Sequence, residues 1–77
     1  LKQYRYAPKK GVADIIAVLP PNGRMVAIEI KIGTDRLSLE QQGFLLNITN
    51  VGGLSVVVHD FDDFLNFWNN KVIHNLP

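Results

Sequence analysis

Two short apolar runs, residues 12–19 and 25–32, flank the sequence Pro20-Pro21-Asn22-Gly23. Both are rich in Val and Ile, and both are too short to be typical helices. A tight, glycine-containing connection between two such runs predicts an antiparallel hairpin. Strand alternation then puts Met25, Ala27, Glu29 and Lys31 on one face and Val26, Ile28, Ile30 and Ile32 on the other. The second face reads as core. The first ends in two opposite charges placed two residues apart. With all four loop residues outside the ladder, Leu19 faces Arg24 and Asp14 faces Glu29. With only Asn22-Gly23 in the loop, Asp14 faces Lys31. Both registers keep Asp14 on the charged face, whereas a loop of odd length turns it away.

Carboxylates opposed across two strands repel each other. Among apolar neighbours such as Ile16, Val18 and Ala27 they are also costly to desolvate. A divalent cation relieves both penalties. Hard oxygen donors at a partly open site suit Mg²⁺ or Mn²⁺, which keep several waters and bind phosphate oxygens. A lysine beside such an ion can stabilise charge on a phosphate or orient a water. The competing reading of Lys31 is a surface ion pair with Asp14 or Glu29, worth about 0–1 kcal/mol. A glutamate and a lysine two residues apart do not by themselves decide between the two.

Beyond the hairpin, residues 2–6 alternate and predict a short edge strand, followed by the turn Pro8-Lys9-Lys10-Gly11. Ser38-Leu39-Glu40-Gln41 fits a capping box that opens a helix over 38–51. Its apolar stripe is Phe44, Leu45, Ile48 and Val51, and Gly52-Gly53 ends it. A third apolar strand covers 54–59. Asp60 can cap a last helix with the stripe Phe61, Phe64, Leu65 and Trp68. Helical phase sets Gln41 on the sheet-facing stripe and turns Gln42 away. Gln41 can therefore close the cap on Ser38 or reach the charged face of the hairpin, and the sequence leaves both open. His59, Asp60, Asp62 and Asp63 read as helix capping and a solvated acidic turn rather than a metal site. The order β-β-β-α-β-α predicts an α/β fold with helices packed on a mixed sheet.

Length and composition set the limits. Seventy-seven residues form a single domain, 1–77. The absence of cysteine excludes disulfides, thiolate metal sites and cysteine nucleophiles, and fits a reducing, intracellular setting. No apolar stretch approaches the ~18 residues of a membrane span. Charge is unevenly spread. Lys2, Arg5, Lys9, Lys10, Arg24 and Lys31 outweigh Asp14 and Glu29 in residues 1–31, and acidic residues dominate the remainder. Such a dipole points to an anionic partner, nucleic acid above all, with Arg5, Lys9 and Lys10 as contacts. A domain of this size buries only about 60% of its unfolded surface, so a partner or a second copy would help to stabilise it.

Together, Gly11-Val12-Ala13-Asp14, Ile28-Glu29-Ile30-Lys31, Leu37-Ser38-Leu39-Glu40-Gln41, Gly52-Gly53 and Asp62-Asp63-Phe64 resemble the virus-type replication-repair nuclease (VRR-NUC) family of the PD-(D/E)xK nucleases. The resemblance runs from about residue 4 to residue 68. It implies a restriction-endonuclease-like core and metal-dependent hydrolysis of phosphodiester bonds in DNA, with branched DNA as one substrate. It further implies that Asp14, Glu29 and the carbonyl of Ile30 bind Mg²⁺ or Mn²⁺. Lys31 would activate the attacking water, and Gln41 would complete the catalytic set. The sequence departs from the family pattern at Ala13, where the superfamily has proline, and in lacking the helix that usually precedes the first strand. The resemblance thus implies a removed segment or a partner, with a homodimer favoured. It also implies a cytoplasmic or nucleoid location, with a phage or prophage origin in view. The alternative reading is a non-catalytic DNA-binding or assembly module that keeps the nuclease fold, and an RNA-directed nuclease would use the same site.

Overall fold

The computed structural model describes residues 11–75. The expected edge strand at 2–6, and with it Arg5, Lys9 and Lys10, lies outside the described residues. The elements are β1 (Ile15–Leu19), β2 (Arg24–Ile30), α1 (Leu39–Asn50), β3 (Leu54–Val58) and α2 (Phe61–Phe67). A π-helical turn (Trp68–Val72) and a 3₁₀ turn (Ile73–Asn75) continue the last helix. The strands form one mixed sheet in the order β1-β2-β3, with β1/β2 antiparallel and β2/β3 parallel. The parallel pair needs a crossover, which α1 supplies.

The register is that of the four-residue loop. Leu19 pairs with Arg24 and Ile15 with Ile28, and the Gly23 amide closes the turn on the Leu19 carbonyl at 2.9 Å. The ladder is shorter than the apolar runs: β1 starts only at Ile15 and β2 stops at Ile30. Asp14, the residue before β1, satisfies the next main-chain donor with its side chain, as its Oδ2 accepts from the Ile30 amide at 2.8 Å.

Both sheet faces are covered. Val26 and Ile28 pack with Val58, Phe67 and Val72 under the C-terminal helices. Ala27 packs with Ala13, Leu45 and Ile48 under α1. Three expectations about the core are corrected. Ile30 and Ile32 are 41% and 71% exposed, because they lie at and past the end of β2, where α2 does not cover them. Val51 is exposed because α1 has already ended and this residue is its C-cap. In α2 the buried residue is Phe67, whereas Phe61 and Leu65 are exposed. The helix is turned so that Phe64, Phe67 and Trp68 face the sheet, and the π turn carries the stripe on to Val72. Phe61, Phe64 and Trp68 form a stacked column, with centroids 6.0 and 5.7 Å apart. The expected caps are present. Ser38 and Gln41 make both bonds of the capping box, and the Asp60 side chain accepts from the Asp63 amide at 2.8 Å.

Candidate active site

Glu29 is the penultimate residue of β2 and lies on the face that α1 covers. Its side chain is only 2% exposed, the one charged residue among the buried ones described. Three groups converge on it. The Gln41 side chain donates from Nε2 to Glu29 Oε1 at 3.0 Å. Lys31 Nζ lies 3.6 Å from the same oxygen. Asp14, one step past the Ile15–Ile28 pair, continues the register to the position opposite Glu29. The other carboxylate oxygen, Oε2, is buried and has no hydrogen-bond partner.

The electrostatics follow from this placement. Burial pushes the Glu29 carboxyl above its ordinary value, and the negative charge of Asp14 pushes it further. Lys31 opposes both effects without cancelling them. An unsatisfied buried polar group costs about 1–3 kcal/mol, more when charged. The site thus holds a carboxylate in an environment that disfavours its charge, beside a second, exposed carboxylate.

Gln41 resolves the alternative left open by the sequence, because it takes both roles at once. Its backbone amide donates to Ser38 Oγ at 3.1 Å, and its Oε1 accepts from the Ser38 amide at 2.9 Å. That leaves the NH₂ end for Glu29. A primary amide has one acceptor end and one donor end, so a single orientation satisfies both neighbours. Gln42 is exposed, as its helical phase requires, and its side chain donates to the Leu37 carbonyl at 3.3 Å.

Gly11, expected as a turn residue and as the first residue of the Gly11-Val12-Ala13-Asp14 motif, also makes a close contact with α1. Its φ is +87°, and a Cβ there would lie 2.7 Å from the backbone carbon and oxygen of Glu40. The strand-entry segment carrying Asp14 is therefore pressed against the first turn of α1, which carries Gln41. The signal was present in the sequence as a glycine three residues before an aspartate, but the close approach needs the helix position to be known. His59 and Asp63 form a separate pair: Asp63 Oδ2 accepts from the His59 amide at 2.9 Å and lies 3.3 Å from its Nδ1. With Asp60 as N-cap, this matches the capping and turn roles expected for that segment.

The residues fit a divalent cation. The orphaned Oε2 supplies a hard donor with no other use, and Asp14 supplies a second, exposed carboxylate. The Ile30 amide faces Asp14, while the Lys31 amide donates to the Val58 carbonyl on the β3 side. In a strand the N–H and C=O of one residue face the same side. The Ile30 carbonyl accordingly opens toward Asp14. Among the described residues no group of three or more His, Cys, Asp or Glu side chains could hold a metal. The donor set is thus two carboxylates and main chain, an arrangement common for Mg²⁺, which retains waters and takes phosphate oxygens.

No helix among the described residues is long and apolar enough to cross a membrane. The family model of the VRR-NUC domain matches residues 2–61. No curated protein and no solved structure matches the chain.

Proposed function

The chain belongs to the VRR-NUC family, which makes it a nuclease-type DNA-processing domain, and on that premise we propose that it hydrolyses phosphodiester bonds in DNA using Mg²⁺ or Mn²⁺. The observation that carries this reading is the buried, partnerless Oε2 of Glu29 beside the exposed Asp14 carboxylate. Asp14, Glu29 and the Ile30 carbonyl would hold the ion. When bound, the ion supplies Lewis acidity toward a phosphate oxygen and lowers the pKa of a water. Lys31 sits 3.6 Å from Glu29 and only 14% exposed, so its ammonium stabilises charge that builds on the phosphate oxygens. Gln41 holds the Glu29 carboxylate in one orientation. Arg5, Lys9 and Lys10 are the proposed backbone contacts, positioned by charge and not by base reading.

The test is cleavage of linear, nicked, flapped and four-way DNA, with and without Mg²⁺, and of an RNA strand beside them. Cleavage that requires the ion supports the proposal, and the preferred substrate identifies the class of DNA. Binding without cleavage at any divalent concentration would instead favour a DNA-binding or assembly module.

We also propose that a second copy of the chain covers the apolar end of the sheet. Ile15, Ile30, Ile32 and Phe61 are exposed around a groove of about 400 Å³. Contiguous apolar surface of this kind marks a contact site. Light scattering that gives a monomer at micromolar concentration would remove the homodimer. The proposed activity belongs inside the cell, in the cytoplasm or at the nucleoid, on the ground of its DNA substrate alone.

A further inference from the structure

We infer that Ser38 is a positioning residue for the metal-binding carboxylate, acting through Gln41 and touching neither ion nor DNA. The inference rests on the metal reading above and adds a residue to it. A relay of three hydrogen bonds carries it. Ser38 Oγ accepts from the Gln41 amide at 3.1 Å, the Ser38 amide donates to Gln41 Oε1 at 2.9 Å, and Gln41 Nε2 donates to Glu29 Oε1 at 3.0 Å. The relay ends on a side chain that is 2% exposed and whose second oxygen has no partner.

The physical consequence follows from counting freedoms. A glutamine side chain has several rotatable bonds and loses up to about 2 kcal/mol of rotamer entropy when fixed. The capping box fixes it at both ends, backbone and amide, before any ligand arrives. Glu29 then meets a donor already in place, and its carboxylate cannot turn about its last torsion without giving up that bond. Lys31 is also on Oε1, so the two cationic or donor neighbours share one oxygen and the other is left for the ion. Groups that orient a metal ligand in this way influence affinity, and their loss typically weakens binding about 10–100-fold. An ordinary N-cap would affect helix stability alone.

These roles separate in a double-mutant cycle read by Mn²⁺ binding. Calorimetric titration with Mn²⁺ alone is run on the wild type, Ser38→Gly, Ser38→Thr, Gln41→Leu and the double variant Ser38→Gly/Gln41→Leu, with thermal unfolding of each in chelator. Glycine is well accepted at an N-cap, so Ser38→Gly stays folded with a stability loss of only a few tenths of a kcal/mol. Ser38→Gly removes only the Oγ bond that pins the Gln41 backbone amide, because the main-chain amide at position 38 still donates to Gln41 Oε1. The expected result is up to about tenfold weaker Mn²⁺ binding in Ser38→Gly and recovery in Ser38→Thr, which restores the Oγ bond. In the Gln41→Leu background, Ser38→Gly should change Mn²⁺ affinity no further. Unchanged affinity in Ser38→Gly, or affinity losses that add across the cycle, would overturn the inference and leave Ser38 a helix cap. Absence of Mn²⁺ binding by the wild type would overturn the metal reading itself, and this inference with it.

Discussion

Glu29→Gln should make the protein more stable without metal and blind to metal. The substitution preserves shape and replaces a charge by an amide. The amide oxygen still accepts from Gln41 Nε2, now 3.0 Å from Oε1, and the new NH₂ replaces the partnerless Oε2 on a side chain whose negative charge Asp14 disfavours. Relief of the unsatisfied buried oxygen is worth about 1–3 kcal/mol. Loss of the Lys31 pair, at 3.6 Å, offsets part of this, since Lys31 favours the Glu29 charge less than burial and Asp14 together disfavour it. A net gain near 1 kcal/mol raises Tm by about 4–8 °C in a domain of this size. The pH dependence carries the sign. The Glu29 carboxyl is raised above 4.5 in the folded protein, so the folded state holds that proton more tightly than the unfolded one. Wild-type stability therefore falls as pH rises from about 4.5 to the raised value and is constant above it. The advantage of Glu29→Gln should vanish near pH 4 and be complete at pH 8. In excess Mg²⁺ the order reverses, since an ion at 100 times its Kd stabilises the wild type by about 2.7 kcal/mol and the variant not at all. The assay is thermal unfolding at pH 4 and pH 8, each in chelator and in Mg²⁺. A variant that is less stable than the wild type at pH 8 in chelator, or one that still responds to Mg²⁺, would refute the reasoning.

Gln41→Leu removes a cap bond and the Glu29 contact together, so turnover should fall about 10²-fold while stability falls by about 1 kcal/mol; Gln42→Leu should do neither, and kcat and Tm measured side by side check both. Asp60→Ala should cost about 1 kcal/mol through loss of the α2 N-cap, with Mn²⁺ affinity unchanged in titration calorimetry. Lys9→Ala with Lys10→Ala should weaken DNA binding and flatten its salt dependence, while Glu29→Ala should abolish cleavage and leave DNA binding near wild type; unchanged low-salt binding in the lysine pair would remove them from the contact surface. Gly11→Ala should lower both Tm and Mn²⁺ affinity, because its Cβ would meet the Glu40 backbone at 2.7 Å; a normal Tm in thermal unfolding would show that the contact yields freely.

Much of the site was legible because alternation along a strand and phase along a helix are rigid rules. Once the loop is known to hold four residues, Asp14 must stand opposite Glu29, and the pairs Leu19–Arg24 to Ile15–Ile28 follow. The phase of α1 likewise sets Gln41 apart from Gln42. Legibility failed where an element's end, and not its period, decides the outcome. Ile30 and Ile32 alternate like core residues, yet β2 stops at Ile30, and the same pattern beyond it carries no burial. Phe67 lies outside the stripe Phe61, Phe64, Leu65 and Trp68 that helical period gives, yet it is the buried residue of α2. α2 ends at Phe67, and the five-residue π turn Trp68–Val72 carries the buried face on to Val72. The role of Gly11 was hidden for a third reason: a close approach between segments about thirty residues apart leaves no local mark except the glycine itself.

The alternatives posed for Gln41 were not exclusive, and the reason bears on how such a site is built. A hydroxyl can serve a cap or a ligand with one oxygen, but an amide separates acceptor from donor by the width of the group. A helix N-terminus has unpaired amides that need an acceptor, and a buried carboxylate needs a donor. Gln41, one turn into α1, offers its oxygen to the first and its NH₂ to the second. The helix start and the acidic site therefore stabilise the same side-chain conformation. Neither a glutamate nor an apolar residue at this position can meet both demands: the first would set a third negative charge beside Asp14 and Glu29, and the second would leave the Ser38 amide and Glu29 Oε1 each short of a bond. The local rule for starting a helix and the electrostatic rule for holding a buried acid thus converge on one residue type. The orphaned oxygen of Glu29 is what remains when every other polar atom in the relay has been satisfied.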